Sequence, residues 1–249
     1  MNMDSQYLYT DLSTTELSSD ATALSGYPLS NLLTYDPRAQ WRADSTTEIY
    51  LQLDLGAPVP CNAIVLHHHN LAGMTDVYLR AANNEAFNDS VAVAAGLTSS
   101  VNPAAFNFDS AFYQYWRLYF QFSGTVQLGQ VFLGNAFKPP FPYVYPYEIG
   151  AKEFNTSVRT SITGIDRAAQ SYGGKRRINI SYETMPNVFD TEFKQFFNKV
   201  SGRLYPFYFV DGLGSAYFVR FERDYNAART RRHGLHNLPG VSMIEVYPQ

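Results

Sequence analysis

Apolar and polar residues alternate along much of the first half of the chain. In EIYLQLDLG (Glu48 to Gly56), Ile49, Leu51, Leu53 and Leu55 alternate with Tyr50, Gln52 and Asp54. A period of two marks a strand with one face buried. The same reading predicts strands in NAIVLHHHNL, TDVYLRAA, YQYWRLYFQF and GTVQLGQVFLG. The pieces between them, GAPVPCN, NNEAFNDS and SSVNPAAFNFDS, are rich in turn formers. Helical periodicity is hard to find before residue 150, so this part reads as an antiparallel β-sandwich.

A break follows. FKPPFPYVYPYEIG (Phe137 to Gly150) holds four prolines, which prevent regular pairing. The expected organisation is a sandwich at 1–136, a proline- and aromatic-rich linker at 137–150 and a second domain at 151–249. In the second domain, strands are predicted over Lys152 to Ile165 and Lys175 to Met185, with DRAAQSYGGK between them as a turn and Gly173-Gly174 supplying positive φ. NVFDTEFKQFFNKVSG is the best helix of the chain: Phe189, Phe193, Phe196, Phe197 and Val200 share one face, at spacings of 4, 3, 1 and 3. Asn187 or Asp190 would cap it and Ser201-Gly202 would end it. Strands in RLYPFYFVDG, SAYFVRFERDY and VSMIEVYP complete the order β-β-α-β-β-β. That order predicts a β-rich α+β domain with one helix laid on its sheet, in a molecule that is mainly β.

Composition supports folded domains. Of 249 residues, 45% are hydrophobic and 16% charged, enough apolar material for a core. With 19 Tyr and 18 Phe, the aromatic share suits β structure and contact surfaces. A net charge of −3 gives no pull toward nucleic acid or an anionic membrane, and neither is expected as a partner. One cysteine, Cys61, cannot form an internal disulfide, which fits folding in a reducing compartment. No signal peptide is read at the N-terminus, and no apolar run reaches the ~20 residues that span a membrane.

The candidate chemistry is sparse. His67, His68 and His69 are adjacent, and on a strand the first and third would share a face. Two imidazoles still need a third or fourth ligand, and neither HExxH nor a Cys cluster is present, so no metal and no cofactor are expected. The bland alternative places His67 and His69 near a surface, with Asn70 in a local turn bond. No nucleophile elbow or phosphate loop is present, Cys61 reads as a small buried residue, and no catalytic residue is assigned. Glu222 and Asp224, flanking Arg223, read as a solvated strand end. Arg229, Arg231 and Arg232 stand in a loop longer than a plain hairpin needs, a candidate protein-contact loop.

YPLSNLLTYDPRAQWRAD, IYLQLDLG, CNAIVLHHHNL, YWRLYF and VQLGQVFLG come in an order that resembles the discoidin, or galactose-binding-like, β-sandwich over roughly Ser25 to Gly134. The resemblance implies a glycan site in the end loops, with Tyr35, Arg38, Trp41 and Arg42 as candidates. The competing reading has Trp41 as a core plug under the sandwich and Arg38 or Arg42 in a structural ion pair. The sandwich followed by RTSITG, GGKRRINISYE and YPFYFVDG is similar to minor structural proteins of phage tails, with a second domain like tail-tube or distal-tail folds. That similarity implies a non-catalytic virion protein, made in the host cytoplasm. It would assemble into a ring through contacts with copies of itself and with other tail proteins. The alternative function is a glycan-binding module, with a host-surface glycan as ligand.

Overall fold

The computed structural model describes residues 5–12, 14–45, 47–139, 143, 148–150, 156–160, 166–170, 174–225, 228–229 and 235–246. The chain divides into two compact units, one of Gln6–Phe137 with Leu213–Ala216, the other of Met1–Ser5, Lys138–Gly212 and Tyr217–Gln249. Of the segment read as a linker, residues 140–142 and 144–147 lie outside the described residues.

The first unit holds β1 (Gln6–Leu8), β2 (Glu16–Ser19), β3 (Trp41–Ser45), β4 (Glu48–His67), β5 (Asp76–Ala82), β6 (Val91–Ala94), β7 (Ala104–Gln121), β8 (Gly124–Leu128) and β9 (Gln130–Gly134), with short 3-10 turns at Leu29–Leu33 and Leu71–Gly73. One sheet runs β2-β4-β7-β5-β6, with β9 also on β4; the other is the pair β3-β8. All these pairings are antiparallel.

Alternation in the sequence becomes two faces of the large sheet. Ile49–Phe120–Val77, Leu51–Leu118–Leu79 and Leu53–Trp116–Ala81 lie opposite one another across β4, β7 and β5, and all nine are buried. Trp41, Ala43, Val126 and Leu128 from β3 and β8 close the same core from the other side. Burying each of the larger side chains stabilises by about 1.5–3 kcal/mol. The intervening residues form the opposite face, in rows Tyr50–Tyr119–Tyr78 and Gln52–Arg117–Arg80.

Two readings of the sequence are corrected here. GAPVPCN does not end a strand: β4 continues through it for 20 residues, with register irregularities against β7 between Asp54 and Val59 and between Cys61 and Ala63. Bulges absorb the prolines and Gly56, whose φ is +76°. GTVQLGQVFLG, conversely, is two strands. It breaks at Gly129, so that β8 joins β3 and β9 joins β4.

The second unit holds β10 (Glu148–Ile149), β11 (Thr156–Thr160), β12 (Asp166–Gln170), β13 (Arg177–Pro186), α1 (Asn187–Lys199), β14 (Phe207–Val210), β15 (Ala216–Phe221), β16 (Ala228–Arg229) and β17 (Leu235–Glu245). Its main sheet runs β14-β15-β17-β13-β10, with β16 also on β17. β12 occupies residues read as a turn and pairs antiparallel with β11, Thr156 opposite Gln170.

The α1 apolar face forms as its spacing predicts. Phe189, Phe193, Phe196 and Val200 are buried, and the three phenyl rings meet Tyr182, Phe207 and Phe221 of the sheet. The N-cap is Pro186, with no side-chain cap bond, rather than Asn187 or Asp190. The Asp190 carboxylate instead accepts the Tyr225 hydroxyl. Ser201 and Gly202, both at positive φ, end the helix.

Candidate functional site

Of the four residues proposed for ligand contact, Trp41 is fully buried. Its indole lies 6.3 Å from the Phe120 ring, centroid to centroid, and presents no face to a ligand. Arg42 is half-buried: its guanidinium sits 4.2 Å over the Tyr27 ring and donates to Gln40 Oε1 at 3.2 and 2.8 Å. Tyr35 leans on Phe132, and its hydroxyl meets that of Tyr9 at 3.3 Å. Arg38 is the exposed member. Its Nε and one terminal nitrogen donate to the two Asp36 oxygens at 3.0 and 3.2 Å, with side chains 66% and 37% exposed. The guanidinium holds the Asp36 carboxyl below its ordinary pKa.

The Asp36–Arg38 loop meets the histidines at one end of the sandwich. Gly129 is the hinge of that meeting: a Cβ there would stand 2.1 Å from the Pro37 carbonyl oxygen and 2.7 Å from the His68 Cβ. Only glycine permits so close an approach. The Gly129 N–H donates to the His67 carbonyl at 2.9 Å, and the Gln130 amide donates to the Thr34 carbonyl. A third loop joins through Asn102, whose Oδ1 accepts the His68 N–H at 2.7 Å. His68 lies within electrostatic reach of both Asp36 and Arg38. Three loops thus bring a carboxylate, a guanidinium, an imidazole and an amide to one place.

The histidines do not alternate as a strand would place them, because β4 ends at His67 and His68 adopts φ +52°. His67 is buried, and desolvation pushes its pKa down to about 3, with smaller contributions from His68 and His69. Desolvation also lowers His68 and His69, though Asp36 opposes the shift at His68 and a Val101 backbone contact opposes it at His69. Among the described residues, no three of His, Cys, Asp and Glu gather to hold a metal. Asn70 bonds not locally but to β8, donating to the Thr125 carbonyl at 2.7 Å and accepting the Gln127 N–H at 2.9 Å.

Sequence reasoning missed Asp36, His68 and Asn102 as one set, since nothing along the chain ties residues 36, 68 and 102 together. It also missed the row Tyr50–Tyr119–Tyr78. Tyr119 and Tyr78 stack at 4.8 Å, and Arg117 lies 4.3 Å over Tyr50 and 3.9 Å over Phe87. Of the candidate contact arginines, Arg229 belongs to β16, opposite His236, while Arg231 and Arg232 lie outside the described residues.

The molecule is mainly β. No family model matches the chain, and no curated protein matches it. Among solved structures, chitosan-binding module 1 of a chitosanase/glucanase from Paenibacillus sp. IK-5 superposes with a TM-score of 0.44 at 12% identity, over 50% of this chain and 98% of the module. CpGH89CBM32-5 from Clostridium perfringens, in complex with GalNAc-β-1,3-galactose, gives 0.45 at 11% identity, over 51% and 99%. The family 32 module of Clostridium perfringens NanJ, in complex with galactose, gives 0.44 at 15% identity, over 52% and 98%.

Proposed function

We propose that the first unit is a non-catalytic glycan-binding module, and that its site is the cluster of Asp36, Arg38, His68 and Asn102. The observation that carries this reading is the convergence of those four side chains on loops pinned at Gly129. Asp36 and Arg38 neutralise one another, so the cluster offers fixed donors and acceptors with little net charge. Such a surface suits hydroxyl groups, which both donate and accept, better than it suits an ion. His68, kept neutral by desolvation, adds an imidazole edge of the same character. The similar solved modules include proteins in complex with galactose and with GalNAc-β-1,3-galactose; that agrees with the proposal without carrying it.

A glycan array probed with the full chain tests the reading. Arg38→Ala and His68→Ala should each weaken the best hit by roughly tenfold or more, the cost of losing a charged or desolvated hydrogen-bond partner. An array without a hit, or hits indifferent to both substitutions, would overturn it.

A second reading, a structural subunit of a phage tail, is favoured by one feature. Among the described residues, β11 and β12 form a two-stranded ladder that no third strand joins. A lone hairpin is marginal in water and gains from a partner's surface. On this reading, light scattering at rising concentration shows a ring-sized species, whereas a module that acts alone stays a monomer.

A further inference from the structure

The second unit carries a groove of about 590 Å³ beside the end of α1, lined by residues that include Arg203, Leu204, Arg220, Glu222, Asp224 and Ile244. Its lining carries two arginines, Arg203 and Arg220, and two carboxylates, Glu222 and Asp224, of which one is committed elsewhere. Glu222 is already engaged: its two oxygens accept Arg177 Nε and a terminal nitrogen at 2.8 and 2.7 Å, and Ser242 Oγ donates to it at 2.7 Å. Glu245 is taken by Arg176 at 3.4 Å and by the Arg176 N–H. The side chains of Arg203 and Arg220 have no ion-pair or hydrogen-bond partner among the described residues. Arg223, exposed, stands close enough to act on Glu222, and the Lys175 pKa is lowered first by desolvation and then by the nearby Arg220 guanidinium. Against these cations the groove sets Asp224 and the already paired Glu222.

The backbone does not supply the missing partners either. At the helix end the carbonyls of Phe196, Phe197, Asn198 and Val200 are occupied by the N–H groups of Val200, Gly202, Ser201 and Tyr205. Beside the arginines lies apolar surface: Leu204 is 66% exposed, and Ile244, half-buried, stands directly opposite Arg220 across the sheet. A volume near 600 Å³ falls within the range of small-molecule sites.

We propose that this groove binds a small organic carboxylate, whose oxygens are held by Arg203 and Arg220 and whose short apolar stem lies on Leu204 and Ile244. Guanidinium forks match the planar carboxylate, and two of them next to an apolar strip favour such an anion over a neutral sugar. The site lies in the unit that the glycan reading leaves without a task, and it stands or falls independently of that reading.

The test is an amide-resolved NMR titration of the full chain with glutarate, and with glutaramide as its neutral counterpart. Glutarate should shift the amides of residues 202–204 and 220–222 saturably, more weakly at high salt. Arg220→Gln and Arg203→Gln should each reduce affinity by about tenfold or more. Both side chains project from the surface, and unchanged spectra elsewhere will show that the variants fold. Glucuronate and N-acetylglutamate, titrated in parallel, separate a sugar-borne from a peptide-borne carboxylate, and the tighter binder names the source. Absence of saturable shifts up to about 50 mM, equal shifts with glutaramide, or full retention in both variants would each overturn the proposal.

Discussion

At the scale of single residues, burial separates support from contact. Trp41 and Arg38 lie three positions apart in one loop-strand segment, yet one is enclosed and the other is two-thirds exposed. Trp41→Ala should therefore act on stability, lowering it by about 3–5 kcal/mol through the cavity it leaves. Denaturant unfolding of that variant would show this directly, and any loss of ligand binding in it would report unfolding. Arg38→Ala removes an exposed pair worth about 1 kcal/mol or less, so its unfolding midpoint should barely move. His67 gives a pH-dependent prediction. Its folded-state pKa near 3 lies below its ordinary value of 6.5, so between those limits the unfolded chain binds more protons. Stability is fully present above pH 6.5 and is lost as pH falls toward 3. His68 and His69 contribute in the same sense, and Asp36, depressed by Arg38, adds to the loss at the acid end. Replacing His67 by Asn should flatten the dependence of unfolding free energy on pH between 6 and 4 by up to about one proton; an unchanged slope would contradict the buried, neutral imidazole.

At the scale of elements, the informative position is Gly129. It divides what the sequence presents as one strand and sends β8 and β9 to different sheets while letting the Pro37 loop touch His68. Gly129→Ala should cost about 1–3 kcal/mol through overpacking, and should weaken ligand binding although residue 129 brings no side chain to the cluster. Thermal unfolding together with calorimetric titration would separate the two effects. Legibility also divides at this scale. The inner rows Leu51–Leu118–Leu79 and Leu53–Trp116–Ala81 could be anticipated because alternation is local, and so could the α1 face. The bulged passage through Pro58 and Pro60, the strand β12 and the cap of α1 could not. Of these, β12 pairs with its sequence neighbour β11, whereas the first and last are decided by partners far along the chain, β7 for the prolines and Tyr225 for Asp190. The candidate site failed to show for the same reason. Arg38 could be named as a glycan contact or an ion-pair partner, but Asp36, His68 and Asn102 meet only through tertiary loop packing.

At the scale of the molecule, the chain holds two β-rich units. The first unit carries the Asp36, Arg38, His68 and Asn102 cluster on which the glycan proposal rests. The second lays one aromatic helix face on a sheet and keeps a cationic groove beside the helix end. On the function proposed above, the Gly129-pinned loops bind glycan. The most direct measurement is an amide-resolved NMR titration of the full chain with the best ligand from the array. Saturable shifts should gather at Asp36, Arg38, His68 and Asn102, while the amides around Arg203 and Arg220 stay still. Shifts centred instead on the row Tyr50–Tyr119–Tyr78, or none at saturating ligand, would contradict it.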